Sequence, residues 1–501
     1  MEMNWVLTIG MLGYNVAIIL IVSAWLAYRA RTHNIEEDFI LSGRNLPWYV
    51  IAATNCLTCI GGGHILGLTG QSWNTGTATM WFSISMCGSF LLIMMYVGPW
   101  IRRMGFVTTA GMFSEMFGDI VRPLITGVSI AACFGIVTLE TQGLGAVVMI
   151  STGVPMWFGV IIGGFIGMLY ILLAGIKEVG WVNLINAILM YGAVILVLIF
   201  LGINLQGGWQ PVNDFYVNNH QTFLLTLFGN GDIIRTYVIG TFVSSLFYNP
   251  IVQQCAQVSV SAKNSNNIKK AVAMAIILNL MFSAFMVGLG MIARTLPDAS
   301  AMGDGGPAVL FMMATYLPTW LSIWILGVFI AALLSTWGML TLASSTHIVK
   351  DIMEKYYAKA PFSLKQEGRY TRIVIVIFGI VAIAVSTLLP SVNPAIVWCF
   401  SWTTPMFVMF AIGMHYKRST WGCIVTWVIA WIMNMVLSLT PLMEMMHLEG
   451  NNYAIYMLVI SVVFGYLFTA LDKNAKPSFA SEYKKLRAQW DAEKNNVAAQ
   501  A

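Results

Sequence analysis

Two apolar stretches of this chain are interrupted by residues that a continuous helix avoids. Gly61-Gly62-Gly63 lies inside the run 49–68, and Asn249-Pro250 lies inside the run 237–258. Within a bilayer every backbone N–H and C=O needs a partner, so a broken span survives only where it is buried in protein or lines a cavity. The carbonyls a break sets free are ligands in their own right for a hard cation. Paired breaks in corresponding places of two halves of a chain point to a secondary-transporter site.

Residues of matching chemistry stand beside the first break and within other apolar runs. Leu57 and Ile60 precede the first break and offer carbonyls that a regular helix keeps for itself. Ala332, Ser335 and Thr336 stand at i, i+3 and i+4, so one helix face presents a carbonyl and two hydroxyls. Such hydroxyls either ligate a cation or bond back to the carbonyl four residues earlier. His64 follows the glycine triplet and can donate, accept or titrate near neutral pH, or make a structural bond between helices. Glu140 lies well inside the apolar run 121–150, where an uncompensated carboxylate costs about 3 kcal/mol or more. It therefore balances an ammonium group on a solute, pairs with His64, carries a proton, or sits as a neutral acid against a neighbouring helix. Ser83, Thr241, Ser244 and Trp402 are weaker solute-contact candidates. Small hydroxyl residues mostly serve helix packing, and most of the 18 tryptophans belong to interfacial belts.

The elements that must position these residues are membrane helices. The chain has 501 residues, of which 58% are hydrophobic and 9% charged, with a mean hydropathy of +0.76, far outside soluble composition. Runs of roughly 20 apolar residues give about thirteen transmembrane helices: 5–28, 48–68, 79–101, 121–150, 155–175, 181–205, 233–258, 267–293, 320–349, 370–390, 394–416, 420–440 and 451–472. The first is too long for a signal-peptide core and lacks a basic leader, so it reads as an uncleaved span. Lys and Arg, apart from Arg235 and Arg294, fall in or beside alternate loops. That bias orients the N-terminus outside and the C-terminus in the cytoplasm of a plasma-membrane protein, and it accounts for the net charge of +5 without a nucleic-acid partner.

The fold class is thus all-α and polytopic: one transmembrane domain over 1–472 and a polar, basic cytoplasmic tail over 473–501. Spans two to six and seven to eleven each open with a broken helix. This predicts a 5+5 inverted repeat, with core repeats at about 48–205 and 233–416 and with broken first and sixth core helices. All seven cysteines fall in predicted spans and read as small buried apolar residues, Cys56-x-x-Cys59 included. No zinc motif, nucleophile elbow or Gly-rich nucleotide loop is present, so enzymatic chemistry is not expected.

Several stretches resemble the sodium:solute symporter family: Asp38-Phe39-Ile40-Leu41-Ser42-Gly43-Arg44 with Leu46-Pro47-Trp48, then Ala174-Gly175-Ile176-Lys177, Gln253-Gln254, and the stretch from Ala331 to Asp351. The resemblance runs in order from residue 38 to about 430. It implies a leucine-transporter-like fold and uptake of a small solute driven by sodium. It also implies that Leu57, Ile60, Ala332, Ser335 and Thr336 bind Na+ through about five or six oxygens. His64, Ser83, Glu140, Thr241, Ser244, Tyr248 and Trp402 are the expected solute-facing residues. Gly61-Gly62-Gly63 followed by a ring residue resembles the choline-transporter branch, where Tyr248 matches an aromatic position suited to cation–π contact. That branch has tryptophan where this chain has Cys59. The chain also carries Asn183 where many members have Asp, which implies a single coupled sodium. The solute is expected to be an amine, betaine or amino acid. Proton-coupled transport, uptake of a monocarboxylate or sugar, and a membrane sensor or transceptor are the alternatives.

Overall fold

The computed structural model describes residues 3–33, 38–104, 106–173, 175–204, 209–248, 251–387, 399, 401–445 and 453–484; the side chains of 30–33, 44, 102, 103, 248, 265 and 444 also lie outside the description. Helix α1 (Trp5–His33) is followed by α2 (Trp48–Cys59), which begins after Pro47 in extended conformation. Helix α2 stops because Ile60 leaves the helical region at φ −90° and ψ 77°. Its N–H donates to the carbonyls of both Cys56 and Leu57 at 3.1 Å. Helical geometry resumes at Gly62, passes through a wide π-helical turn, Gly63–Gly67, and continues as α3 (Leu68–Thr75). The first interruption therefore falls at Ile60-Gly61, the leading edge of the glycine triplet.

There follow α4 (Trp81–Leu92), α5 (Gly98–Met104), α6 (Thr109–Phe117), α7 (Arg122–Thr152), α8 (Met156–Leu172), α9 (Ile176–Asn204), α10 (Gln210–Asn218) and α11 (Ile239–Tyr248). The chain is helical again in α12 (Gln253–Val260), after Val252 in extended conformation. Asn249 and Pro250, the expected second break, lie outside the described residues, as does the Tyr248 side chain. Then come α13 (Ser265–Thr295), α14 (Gly305–Thr315), α15 (Thr319–His347, extended by a π-helical stretch to Tyr357), α16 (Leu364–Ser386), α17 (Thr404–His415), α18 (Thr420–Leu439) and α19 (Tyr453–Leu471). A two-residue ribbon pairs β1 (Lys417–Arg418) antiparallel with β2 (Lys476–Pro477).

Among the described residues, nine helical runs are long and apolar enough to cross a membrane, against thirteen expected. The run Gly63–Ile101 joins the end of the second expected span to the third. The spans at 48–68 and 233–258 fall short because their helices are interrupted. Those at 155–175 and 394–416 appear as the shorter apolar helices Met156–Leu172 and Thr404–His415.

Helix α15 is the hub. It is apolar all round, as a fully enclosed helix must be, and every residue from Ile325 to His347 is buried. Helices α1, α2, α7, α8 and α9 pack against it. Close approach depends on small residues, as in other membrane bundles. The Trp337 indole lies so near Gly167 and Gly379 that a Cβ on either would sit 2.9–3.0 Å from the ring. Its Nε1 donates to Thr141 Oγ1 of α7 at 3.0 Å.

Candidate functional site

The last turn of α2 meets α15 through a hydroxyl. Thr336 Oγ1 donates across the helices to the Thr58 carbonyl at 3.1 Å and back to the Ala332 carbonyl at 3.3 Å. The hydroxyls of Thr54, Thr141 and Thr346, by contrast, donate only to the carbonyl four residues earlier. Leu57, Ile60, Ala332 and Ser335 are all fully buried. Ser335 Oγ has no hydrogen bond of acceptable geometry; its polar neighbour is the Tyr170 hydroxyl. That hydroxyl donates to Asn183 Oδ1, leaving the buried Asn183 Nδ2 unpaired. The structure thus brings α15 to the interrupted end of α2 and places Asn183 one tyrosine away from Ser335. Tyr170 was missed in the sequence, although its hydroxyl stands in an otherwise apolar helix.

Glu140 lies on α7, is 3% exposed, and points at the other side of the break. The Gly62 N–H donates to both of its oxygens, at 3.0 and 2.9 Å. The carboxylate is packed so closely on the preceding residue that a Cβ on Gly61 would lie 2.3 Å from Oε1. Leu333 of α15 closes the same side, 3.6 Å from where a Cβ of Gly62 would be and 3.3 Å from that of Gly143. Among the described residues, no Lys, Arg or His forms an ion pair with Glu140. Pairing with His64, one of the alternatives open for Glu140, is not what the structure shows. Two residues further along a helix is roughly 160–200° around its axis, so His64 faces away from Glu140, toward α4 and α13. There its Nε2 stands 3.5 Å from Ser83 Oγ and 3.4 Å from Asn279 Nδ2, with Phe82 edge-on at 5.4 Å. Asn279 was also missed, although an amide within the apolar run 267–293 carries the same warning as Glu140.

The remaining candidates are spread over other contacts. Ser244 Oγ donates to the Thr241 carbonyl at 3.0 Å, and Thr241 lies beside Tyr237, both turns being buried against α4. Trp402 packs edge-on against Trp431 at 5.2 Å. The hydrogen bonds of Ser244, and those of His64 with Ser83 and Asn279, are separate from those that join Glu140 to Gly62.

A polar fastening ties down α12, the second half of the later interrupted segment. Gln253 accepts from the Thr109 N–H at 2.8 Å and donates to the Val107 carbonyl at 2.9 Å. One turn on, Gln257 donates to the Ile40 carbonyl at 3.0 Å and to Thr346 Oγ1 at 3.3 Å. Close by, buried Asp351 accepts from Thr108 at 2.9 Å and Arg122 at 3.4 Å, and its other oxygen lies 2.8 Å from His347 Nδ1. Helix α12 is thereby attached to α6, to the segment ahead of α2 and to α15.

A many-helix membrane bundle with an interrupted helix seated on a buried scaffold is the architecture of a secondary transporter. The chain belongs to the sodium:solute symporter family, whose model matches residues 39–429. It is similar to a sodium/glucose cotransporter of Vibrio parahaemolyticus, 20% identical with 92% of this chain and 90% of the relative covered. It is also similar to a sodium/proline symporter of Staphylococcus aureus (strain bovine RF122 / ET3-1), 24% identical with 94% of each covered. In fold it resembles a Na+-coupled sialic acid symporter in a substrate-bound, outward-open state, with a TM-score of 0.79 at 15% identity over 95% of this chain and 99% of that one. A nucleobase-cation-symport-1 family transporter shares the fold at a TM-score of 0.57 and 12% identity, over 86% and 93% of the two chains. The protein is therefore a multi-pass, sodium-coupled symporter of a small-molecule solute and not an enzyme.

Proposed function

We propose that the protein imports a small polar organic solute, an amine, betaine or amino acid, together with one sodium ion by alternating access. In this reading the chain crosses the membrane thirteen times as one domain over 1–472. The 5+5 repeat spans about 48–205 and 233–416, the N-terminus is outside, and the tail over 473–501 is cytoplasmic. Sodium sits between the interrupted end of α2 and α15, on the carbonyls of Leu57, Ile60 and Ala332 and the hydroxyls of Ser335 and Thr336. The observation that carries it is Thr336 Oγ1 reaching the Thr58 carbonyl at the break while Ser335 Oγ, one residue away, is buried and unpaired. An unmet buried hydroxyl such as that of Ser335 is costly, and a cation that it ligates together with Thr336 relieves the cost. Glu140, at the same break, is the residue that sets which solute is accepted.

Proton coupling through a Glu140–His64 relay has less support, because the two side chains lie on different faces of the half-helix. A thermal-shift screen of solutes in sodium buffer, repeated in potassium buffer, tests the proposal. A carried solute stabilises the protein in sodium and has little effect in potassium, by linkage of the two ligands. Equal stabilisation in the two buffers contradicts sodium coupling at this site.

A further inference from the structure

The chain's own Glu140 sits where an interrupted membrane helix offers its N–H groups. The half-helix that starts at Gly62 and runs to Thr75 presents at its first residue an N–H whose acceptor lies on another helix, and helix N-termini at such breaks are seats for anionic groups of solutes. Here the seat is filled from within. Both oxygens of Glu140 lie within 3.0 Å of the Gly62 N–H, and the glycine at 61 leaves room for the carboxylate to lie flat against the break. Asn and Ser side chains on the far face of the half-helix serve His64, so they give Glu140 no alternative partner.

From this we infer that Glu140 is a specificity-determining residue that stands in for a solute carboxylate, so that the carried solute lacks one. This rests on the symport reading above and narrows it, removing amino acids and betaines and leaving amines. The hydrogen-bond balance points the same way. One N–H shared by two oxygens leaves most of the carboxyl group's lone pairs unused. They suit the donors of an amine or ammonium group, whereas a solute carboxylate would bring only further acceptors to the same place.

The test uses the purified full-length protein in sodium buffer and pairs of compounds that share a skeleton with and without a carboxylate: pyrrolidine with proline, choline with glycine betaine, and ethylamine with β-alanine. The carboxylate-free member should reach equal thermal stabilisation at a concentration lower by about tenfold or more. A carboxylated member that matches or beats its partner overturns the inference. Glu140→Ala vacates the seat, so sodium acetate should raise the unfolding temperature of that variant above the value in sodium chloride of equal concentration, with no such difference in the unsubstituted protein. No acetate effect on the variant, or the same effect on both proteins, also overturns it. If Glu140→Ala does not fold, Glu140→Gln takes its place in the paired comparison and should discriminate less than about threefold; discrimination as sharp as in the unsubstituted protein counts against the carboxyl group. A protein that none of the six compounds stabilises differently in sodium and potassium refutes the amine-symport reading, whereas the acetate comparison still decides whether the seat exists.

Discussion

Gly61→Ala isolates the contact between the first break and Glu140. Gly61 is not in the left-handed backbone region, so alanine meets no conformational penalty there and only its methyl group matters. That methyl would lie 2.3 Å from Oε1, 2.8 Å from Cδ and 2.9 Å from Oε2 of Glu140. The carboxylate is the free end of a flexible side chain, so it swings away and the overlap itself costs little. What is lost is its pair of contacts to the Gly62 N–H, leaving a donor and a carboxyl group buried without partners. A buried polar group left unsatisfied costs about 1–3 kcal/mol, which shifts the folded population about 5- to 150-fold. Gly62→Ala is the control, because its methyl would stand 3.6 Å from Glu140 and Leu333, an ordinary contact. Thermal unfolding of the four members of a cycle with Glu140→Ala provides the assay. Gly61→Ala should be strongly destabilising alone and within about 0.5 kcal/mol of neutral once Glu140 is removed, since the two then share no interaction. An equal cost in both backgrounds, or a cost no larger than that of Gly62→Ala, refutes the proposed clasp.

Three further outcomes are expected. Sodium should stabilise the protein, or drive uptake, with a Hill coefficient of about one, because Asn183 presents an amide to Tyr170 where a carboxylate would attract a second cation; a coefficient approaching two, supported by isotope stoichiometry, contradicts this. Asn279→Leu should destabilise the protein by about 1–3 kcal/mol by stripping His64 of its amide partner, yet leave the ranking of paired solutes unchanged; a changed ranking would return His64 to the solute path. Gln257→Leu should free α12 from Ile40 and Thr346 and expose Cys255, which is 3% accessible on the same helix; maleimide labelling of Cys255 should accelerate, and an unchanged rate means that the glutamine fastening does not hold this end shut.

The interruption at Ile60-Gly61 was legible because three glycines in an apolar run have a direct backbone meaning. The helix count was less so. Runs such as 48–68 and 155–175 are apolar enough to read as spans, but the helices they form, Trp48–Cys59 and Met156–Leu172, are interrupted or short of a full crossing by length. Glu140 announced itself through the cost of its charge, but its partner did not. The Gly62 N–H is a backbone group, and backbone donors leave no trace in residue identity, so the sequence could not choose among His64, a solute, a proton and a bond to a neighbouring helix, of which the structure shows the last. The face that His64 occupies was not legible, since nearness to the break along the chain says nothing about which side of the half-helix a residue takes. Tyr170 and Asn279 were legible in principle, each being a polar group in an apolar helix. Their roles emerge only when α8 meets Asn183 and Ser335, and α13 meets His64.

The central claim is that sodium is held between the end of α2 and the Ser335-Thr336 turn of α15. A sodium titration of thermal stability at constant ionic strength, with potassium as the balancing cation, tests it most directly. The unsubstituted protein should gain stability along a saturable curve, by about 2.7 kcal/mol at a hundredfold excess over the dissociation constant. Ser335→Ala combined with Thr336→Ala should flatten that curve while the protein still inserts and folds. A sodium response that survives the double substitution unchanged contradicts the placement of the ion.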